Sequence, residues 1–273
     1  MGKAFLGHRV SAFAPLGRCI ALVAAMTAAI PATEASAATA VRNIVLVHGA
    51  GADGSGWRGV YDILRKDGYH VSVVQQPLTG LSDDVAATQR VIDQQDGPAI
   101  LVGHSYGGVI ITVAGADPKV RALVYVAALQ PDVGETANQL ASSIPGEIPS
   151  SDVKPTKDGF LFIDPARFAA DVGTDLPPEQ AEYMANAQMP VAAAAFNTPL
   201  TVAAWRSKPS YGIVATADRA LNPKLARWMY KRSGAKVTDI KANHLVYISQ
   251  PAAVASVIET AARTAGGNAT KAQ

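Results

Sequence analysis

The sequence "LVGHSYGG" at residues 101–108 places one serine among small residues between two apolar runs. The run 99–103 ("AILVG") ends in glycine, which predicts a buried strand. The apolar residues that resume at Val109 predict a helix from Ser105 to Ala116. A Gly-x-Ser-x-Gly turn between a strand and a helix is so tight that the serine takes a strained backbone conformation and presents its hydroxyl above the sheet. Ser105 is therefore the candidate nucleophile.

The rest of the chain repeats the alternation of strand and helix around this turn. Further strands are predicted at 43–49, 70–74, 122–128, 211–217 and 235–240, and further helices at 57–67, from 82, at 223–232 and at 251–262. Strands that alternate with helices indicate an α/β fold with a mostly parallel sheet and helices on both faces.

The alternation stops between residues 131 and 205, which are rich in proline and contain short helical segments. We interpret 131–205 as a helical lid or cap inserted into one α/β core, formed by 38–130 and 206–265. The last residues, 266–273, are predicted to be a disordered tail.

The N-terminus has the composition of an export signal. Lys3, Arg9 and Arg18 precede an apolar run at 19–30, and the small residues at 35–37 form a cleavage site. The run is too short to span a bilayer as a helix. Cleavage after Ala37 predicts a periplasmic or secreted protein without a stable membrane anchor.

Removing residues 1–37 changes the charge and the cysteine content. The whole chain has 24 basic and 22 acidic residues and a formal net charge of +2. The signal takes away three basic residues and one acidic residue, so the mature chain is formally neutral. This balance argues against a nucleic-acid partner. Cys19, the one cysteine, leaves with the signal, which excludes disulfides and thiolate metal sites from the mature protein.

A serine nucleophile needs a base, and His244 is the candidate among five histidines. It follows the last predicted strand, so it can reach over the carboxyl ends of the strands. His8 belongs to the signal, and His70 begins a strand. His104 is expected to point away from the nucleophile. His48 ends the first strand.

The base needs a carboxylate that holds its tautomer and stabilises its charged form. Asp218 follows the strand 211–217 and is the preferred candidate. Asp132, just after the strand 122–128, is the alternative. With Asp218, the three residues occur in the order Ser…Asp…His.

Two backbone N–H groups are expected to stabilise an oxyanion at this site. The first belongs to Tyr106, which follows the nucleophile at a helix N-terminus. The second is assigned to Ala50, in the glycine-rich loop "HGAG" (48–51) after the first strand.

Four segments in this order resemble the α/β-hydrolase superfamily, in particular its compact esterase and hydroxynitrile-lyase-like branch. They are "LVHGA", "GHSYGG", "ATADRALNP" and "NHLVYISQP". The resemblance covers about residues 41–262. It implies an α/β-hydrolase fold and a Ser-His-Asp triad that works through an acyl-enzyme, with no metal and no cofactor.

Two positions depart from the hydroxynitrile lyases that the chain resembles. Those lyases carry a threonine and a lysine where this chain has Gly49 and Leu245. Without the lysine, nothing stabilises departing cyanide, so the resemblance favours an esterase. The serine nucleophile excludes haloalkane dehalogenases, which use aspartate.

The expected activity is that of an exported carboxylesterase on small, uncharged, apolar esters. Lyase, C–C or amide-bond cleavage on the same triad is one alternative, and a hydrolase-fold ligand receptor with little turnover is another. Seven large apolar side chains of the lid region are candidates for substrate selection: Phe160, Phe162, Phe168, Met184, Met189, Phe196 and Trp205.

Overall fold

The computed structural model describes residues 40–269, and their side chains as far as residue 266. The predicted export signal and its cleavage site lie outside the described residues.

A six-stranded parallel sheet forms the centre of the molecule, with the strand order β2-β1-β3-β4-β8-β9. Its strands are β1 (Asn43–Val47), β2 (His70–Val73), β3 (Ala99–His104), β4 (Val120–Val126), β8 (Ser210–Ala215) and β9 (Lys236–Ile240). Every residue of β1, β3 and β8 is buried. Apolar runs without polar alternation produce such strands, because helices cover a parallel sheet on both faces.

Helices pack on both faces of this sheet. They are α1 (Arg58–Lys66), α2 (Leu81–Asp93), α3 (Gly107–Ala114), α8 (Pro223–Arg232), α9 (Val246–Ser249) and α10 (Pro251–Ala269). Side chains of α1 and α10 pack with Ile44 and Leu46. Those of α2, α3 and α8 pack with Val45 and Val47 on the opposite face. Within residues 40–269, no helix has the length and hydropathy needed to cross a bilayer.

The segment between β4 and β8 contains a small sheet that the sequence reading of a helical lid missed. Its helices are α4 (Ala137–Ser143), α5 (Pro165–Asp171), α6 (Pro178–Asn186) and α7 (Ala193–Asn197). Its strands β5 (Val153–Pro155), β6 (Phe160–Ile163) and β7 (Val191–Ala192) pair antiparallel. Gly159, at φ 87°, makes the turn between β5 and β6. The Asp-Gly pair at 158–159 beside "FLFI" was the available hairpin signal.

The closing helix is longer than predicted. Helix α10 reaches Ala269, so residues 266–269 are helical and do not belong to a disordered tail. The two glycines at 266 and 267 misled the prediction. A glycine weakens a helix interior by about 1 kcal/mol, but it ends the helix only where it adopts the left-handed conformation of a C-cap.

Candidate active site

Ser105 occupies the sharp turn between β3 and α3 and has a positive φ of 51°. The left-handed conformation is unfavourable for serine and marks a strained position. Glycines make the turn possible. A Cβ at Gly103 would lie 2.5 Å from the carbonyl oxygen of Gly107, and one at Gly107 would lie 2.7 Å from that of His48. The helix begins at Gly107, two residues later than predicted, because Ser105 is not helical.

The structure brings Ser105, His244 and Asp218 into one hydrogen-bonded chain. Nε2 of His244 lies 2.9 Å from Oγ of Ser105, and Nδ1 lies 2.8 Å from Oδ2 of Asp218. His244 and Asp218 are only 7% and 6% exposed. In this arrangement the serine hydroxyl donates to Nε2, and the Nδ1–H donates to the carboxylate. The imidazole is thereby held in the tautomer that a general base requires.

The carboxylate of Asp218 is fixed by its own loop. Its second oxygen, Oδ1, accepts the backbone N–H groups of Ala220 at 2.8 Å and Leu221 at 2.9 Å. One oxygen is therefore used to hold the loop, and the other is directed at His244.

The alternative acid, Asp132, has a different partner. Its carboxylate pairs with the guanidinium of Arg206, at 2.7 Å and 2.5 Å. The hydrogen bond from Arg206 lowers the pKa of Asp132. The structure does not bring this carboxylate to His244.

His104, expected to point away from the nucleophile, contacts the backbone of His244. Its Nε2 lies 2.9 Å from the backbone carbonyl oxygen of His244, and the two rings are 4.7 Å apart. Because a carbonyl only accepts, Nε2 of His104 must carry the proton. Desolvation by burial holds the pKa of His104 well below its ordinary value. No sequence pattern predicts this contact, since 140 residues separate the partners.

His48 holds the loop that follows β1. Its Nδ1 donates to the carbonyl oxygen of Gly49 at 2.9 Å, and its Nε2 accepts the backbone N–H of Gln76 at 3.2 Å. The Gln76 side chain donates to the carbonyl oxygen of His48 at 3.0 Å. Desolvation by burial lowers the pKa of His48. A neutral imidazole thus fixes the backbone next to Ala50.

The burial of His48 and His104 predicts a loss of stability in acid. Both have an ordinary pKa of 6.5 that folding lowers. Below about pH 6.5 the unfolded chain takes up protons that the folded chain does not, so the free energy of unfolding falls with pH. Urea unfolding at pH 7.5 and 5.5 should show this fall, and it should be smaller by roughly 1 kcal/mol in His104→Gln. An unchanged pH dependence in that variant would contradict the assignment of a neutral His104.

The N–H groups of Ala50 and Tyr106 are free to bind an oxyanion. Within residues 40–266, neither donates to an acceptor of the protein. The phenol of Tyr106 is anchored away from the site, where it donates to Asp84 Oδ2 at 3.0 Å. Gly49 keeps the loop close to the nucleophile, because a Cβ there would lie 2.8 Å from Cβ of Ser105. A threonine at this position, as in the lyases, would force Ser105 or its neighbours to shift.

A cavity of about 190 Å³ opens beside Ser105 and His244. Most of its lining is apolar. Of the seven large apolar side chains that the sequence suggested for substrate selection, four line the cavity: Phe162, Phe168, Met184 and Phe196. Phe160, Met189 and Trp205 are not part of the lining; Trp205 donates its indole N–H to the carbonyl oxygen of Pro131 instead. Residues 40–269 contain no group of three His, Cys, Asp or Glu side chains that could hold a metal ion.

Comparison with known proteins supports the same fold and chemistry. A sequence model described as the alpha/beta hydrolase family matches residues 44–257. Norfluorocurarine synthase 2 of Strychnos sp is 26% identical over 252 residues, which cover 80% of this chain and 94% of that protein. A carbendazim hydrolyzing esterase of Nocardioides sp. (strain SG-4G) is 37% identical over 122 residues, which cover 39% of this chain and 50% of that protein.

Solved structures share the fold over most of the chain. A pyrethroid hydrolase from Sphingobium faniae JZ-2 superposes with a TM-score of 0.70 at 24% identity, covering 81% of this chain and 97% of its own. Polyneuridine aldehyde esterase superposes with a TM-score of 0.69 at 20% identity, covering 80% of this chain and 98% of its own.

Proposed function

Since this chain belongs to the alpha/beta hydrolase family, we propose that it is an exported serine carboxylesterase for small, uncharged, apolar esters. The observation that carries the proposal is the hydrogen-bonded chain from Ser105 through His244 to Asp218 at the wall of an apolar cavity. The name of the Nocardioides relative, an esterase, supports the same chemistry.

In the acylation step, Oγ of Ser105 attacks the ester carbonyl carbon while Nε2 of His244 takes the hydroxyl proton. The C–O bond to Ser105 forms, and the carbonyl oxygen becomes an oxyanion. Asp218 stabilises the imidazolium that results. His244 then gives its proton to the leaving alcohol as the ester C–O bond breaks, which leaves an acyl-serine.

In the deacylation step, a water molecule repeats the route in place of the serine. His244 takes a proton from the water as the water oxygen attacks the acyl carbon. It then gives a proton to Oγ of Ser105 as the bond between the acyl carbon and Oγ breaks. The products are the free acid and the restored serine. His244 accepts or donates the proton in every transfer of these two steps.

The oxyanion is bound by the N–H groups of Ala50 and Tyr106. Both are held before the reaction begins, one by the contacts of His48 and the other by the start of α3. Donors that are already in place cost no reorganisation, and one such donor is worth about 10²–10³ in kcat in other enzymes.

The cavity limits the size and charge of the substrate. A cavity of about 150 Å³ lined by apolar side chains accepts benzene in another protein, and this one measures about 190 Å³. The described residues of its lining include no Lys, Arg, Asp or Glu. An acyl group of about six carbons, aliphatic or aromatic, therefore fits, whereas a charged acyl group would lose its hydration without gaining a partner.

A chain-length series tests this substrate class. With p-nitrophenyl esters, kcat/KM should rise from acetate to butyrate by about fourfold for each buried methylene, and should fall again at octanoate, where the acyl chain exceeds the cavity. The protein to be measured is residues 38–273, with the butyrate rate as reference. A kcat/KM that keeps rising through laurate would contradict an acyl site of this volume.

The chain lacks the lysine with which the hydroxynitrile lyases stabilise departing cyanide. The residue after His244 is Leu245, which lines the cavity as a buried apolar side chain. Ester hydrolysis without aldehyde release from cyanohydrins is the result we expect. Aldehyde release faster than ester turnover would favour the lyase, and saturable ligand binding without turnover would favour a receptor.

The export part of the proposal rests on residues 1–37. Expression of the whole chain in a bacterial host should yield, outside the cytoplasm, a protein that begins at Ala38. Sequencing of its N-terminus provides the check. An intact N-terminus on a protein that stays in the cytoplasm would contradict the export signal.

A further inference from the structure

The side chain of Asn243, the residue before His244, is buried between three loops and is only 1% exposed. Its Oδ1 accepts the backbone N–H of His244 at 2.7 Å and that of Arg219 at 3.3 Å. Both of these groups only donate, so the oxygen of the amide must face them. One amide oxygen thereby joins the loop of the base to the loop of Asp218.

The other side of Asn243 is bound by the inserted segment. Its Nδ2 donates to Oγ1 of Thr174 at 2.8 Å, and its backbone N–H donates to Oδ2 of Asp175 at 2.9 Å. The same carboxylate oxygen accepts the hydroxyl of Ser249 at 2.7 Å. Residues 174 and 175 lie between α5 and α6. The insertion therefore reaches the base through directional polar contacts as well as through the apolar cavity wall.

The peptide groups of His244 are held on both sides. Asn243 accepts its N–H, and His104 donates to its carbonyl oxygen. These bonds fix the backbone from which the imidazole extends toward Ser105 and Asp218. A rotation of this backbone would move both ring nitrogens away from their partners.

The loop of Asp218 is bound to the insertion as well. Nη1 of Arg219 donates to the carbonyl oxygen of Ala170 at 2.6 Å. The carbonyl oxygen of Arg219 accepts the backbone N–H of Glu147 at 2.6 Å. Both members of the acid–base pair therefore stand on loops that the insertion holds, and the side chain of Asn243 contacts the insertion, the peptide of His244 and the peptide of Arg219.

We propose that Asn243 is a positioning residue for His244, and that Thr174 and Asp175 of the insertion set the alignment of the base through it. The expected effect on kcat rests on the proposed function, ester hydrolysis. The insertion then has two tasks: it encloses the apolar cavity, and it holds the general base at the distance from Ser105 that proton transfer requires.

Three variants separate positioning from simple stabilisation. Asn243→Ala removes the acceptor and the donor, and Asn243→Asp keeps the acceptor for the two N–H groups. Thr174→Val removes only the contact from the insertion. Rates are divided by the concentration of sites that a fluorophosphonate can label, so that misfolded protein does not count.

We expect Asn243→Ala to lower kcat by about 10²-fold, since a misplacement of about 1 Å in a catalytic group has such an effect. KM for p-nitrophenyl butyrate should stay within about threefold, because Asn243 is not part of the cavity lining. Asn243→Asp should recover most of the lost rate. Thr174→Val should lower kcat by roughly threefold, the effect of one partly solvated hydrogen bond.

A proton NMR measurement follows the alignment without any substrate. The proton between Nδ1 of His244 and Asp218 should give a low-field resonance in the wild type and in Asn243→Asp. It should broaden or vanish in Asn243→Ala. If the wild type hydrolyses no ester, the proposed function fails, and the resonance still decides whether Asn243 positions the base.

Two results would overturn the inference. One is an Asn243→Ala protein that keeps the resonance and a kcat per labelled site within twofold of the wild type. The other is an equal loss in Asn243→Ala and Asn243→Asp. If Asn243→Ala does not fold, a wild-type resonance and rate in Thr174→Val, together with loss of both in Asn243→Asp, would overturn it.

Discussion

Replacement of Ser105 by alanine should lower kcat for p-nitrophenyl butyrate by roughly 10⁴–10⁶, judged from triad substitutions in other serine hydrolases. The hydroxyl oxygen forms the covalent bond, and among the described residues no other serine, threonine, cysteine, tyrosine or lysine lines the cavity. The cavity and the two oxyanion donors stay in place, so binding of the ester should change little. Initial rates with enough enzyme to detect the residual turnover provide the measurement.

Ser143→Ala is a suitable control for this substitution. Ser143 ends α4, where its hydroxyl donates to the carbonyl oxygen of Leu140 at 2.7 Å. It is not among the residues that line the cavity, so its loss should leave kcat within about twofold, as for an ordinary surface substitution. A Ser105→Ala protein that retains a tenth of the wild-type activity would refute the assignment of the nucleophile.

Replacement of Asp218 by asparagine should lower kcat by about 10⁴-fold, the effect seen for the equivalent change in another serine hydrolase. The amide has nearly the shape of the carboxylate. It can, however, donate to Nδ1 of His244, which stabilises the wrong tautomer, and it cannot stabilise the imidazolium. The pH–rate profile and kcat, measured with the same ester, show whether the charge or only the shape is required.

Asp132→Asn is the matched control, because Asp132 was the alternative acid. Its carboxylate pairs with Arg206, whose side chain is 61% exposed. Such a pair contributes only about 0–1 kcal/mol to stability, so activity should stay within about threefold. A large loss in Asp132→Asn together with near-normal activity in Asp218→Asn would reverse the assignment.

The sequence was sufficient to predict the fold because its strands are short, continuous apolar runs. The runs ending at Gly49, Gly103 and Ala217 each lead into a loop at the same edge of the sheet. A parallel sheet puts the carboxyl ends of its strands together, so residues that follow different strands meet there. The same rule anticipated that Ser105, Asp218 and His244 would come close.

The inserted segment was less predictable because its structure depends on contacts between short pieces. Strand β7 has two residues and β5 has three, which is too few for any periodic signal. Which of its large apolar side chains face the cavity follows from the packing of β6, α5, α6 and α7. The sequence offered seven candidates and no means of choosing among them.

The polar support of the site was also outside the reach of sequence patterns. His104 binds a carbonyl 140 residues away, and Asn243 binds a hydroxyl 69 residues away. Each stands next to a candidate catalytic residue, but the motifs assign no role to either side chain. Their burial and the direction of their hydrogen bonds, which only the folded structure gives, reveal what they hold in place.

Covalent labelling shows whether Ser105 forms the acyl-enzyme. Residues 38–273 are treated with an excess of diisopropyl fluorophosphate, and the adduct is located by mass measurement of the intact protein and of its peptides. We expect one adduct per chain, on Ser105, with loss of ester hydrolysis in the same proportion and no adduct in Ser105→Ala. An adduct on another residue, or full ester hydrolysis by a protein labelled at Ser105, would show that Ser105 is not the nucleophile.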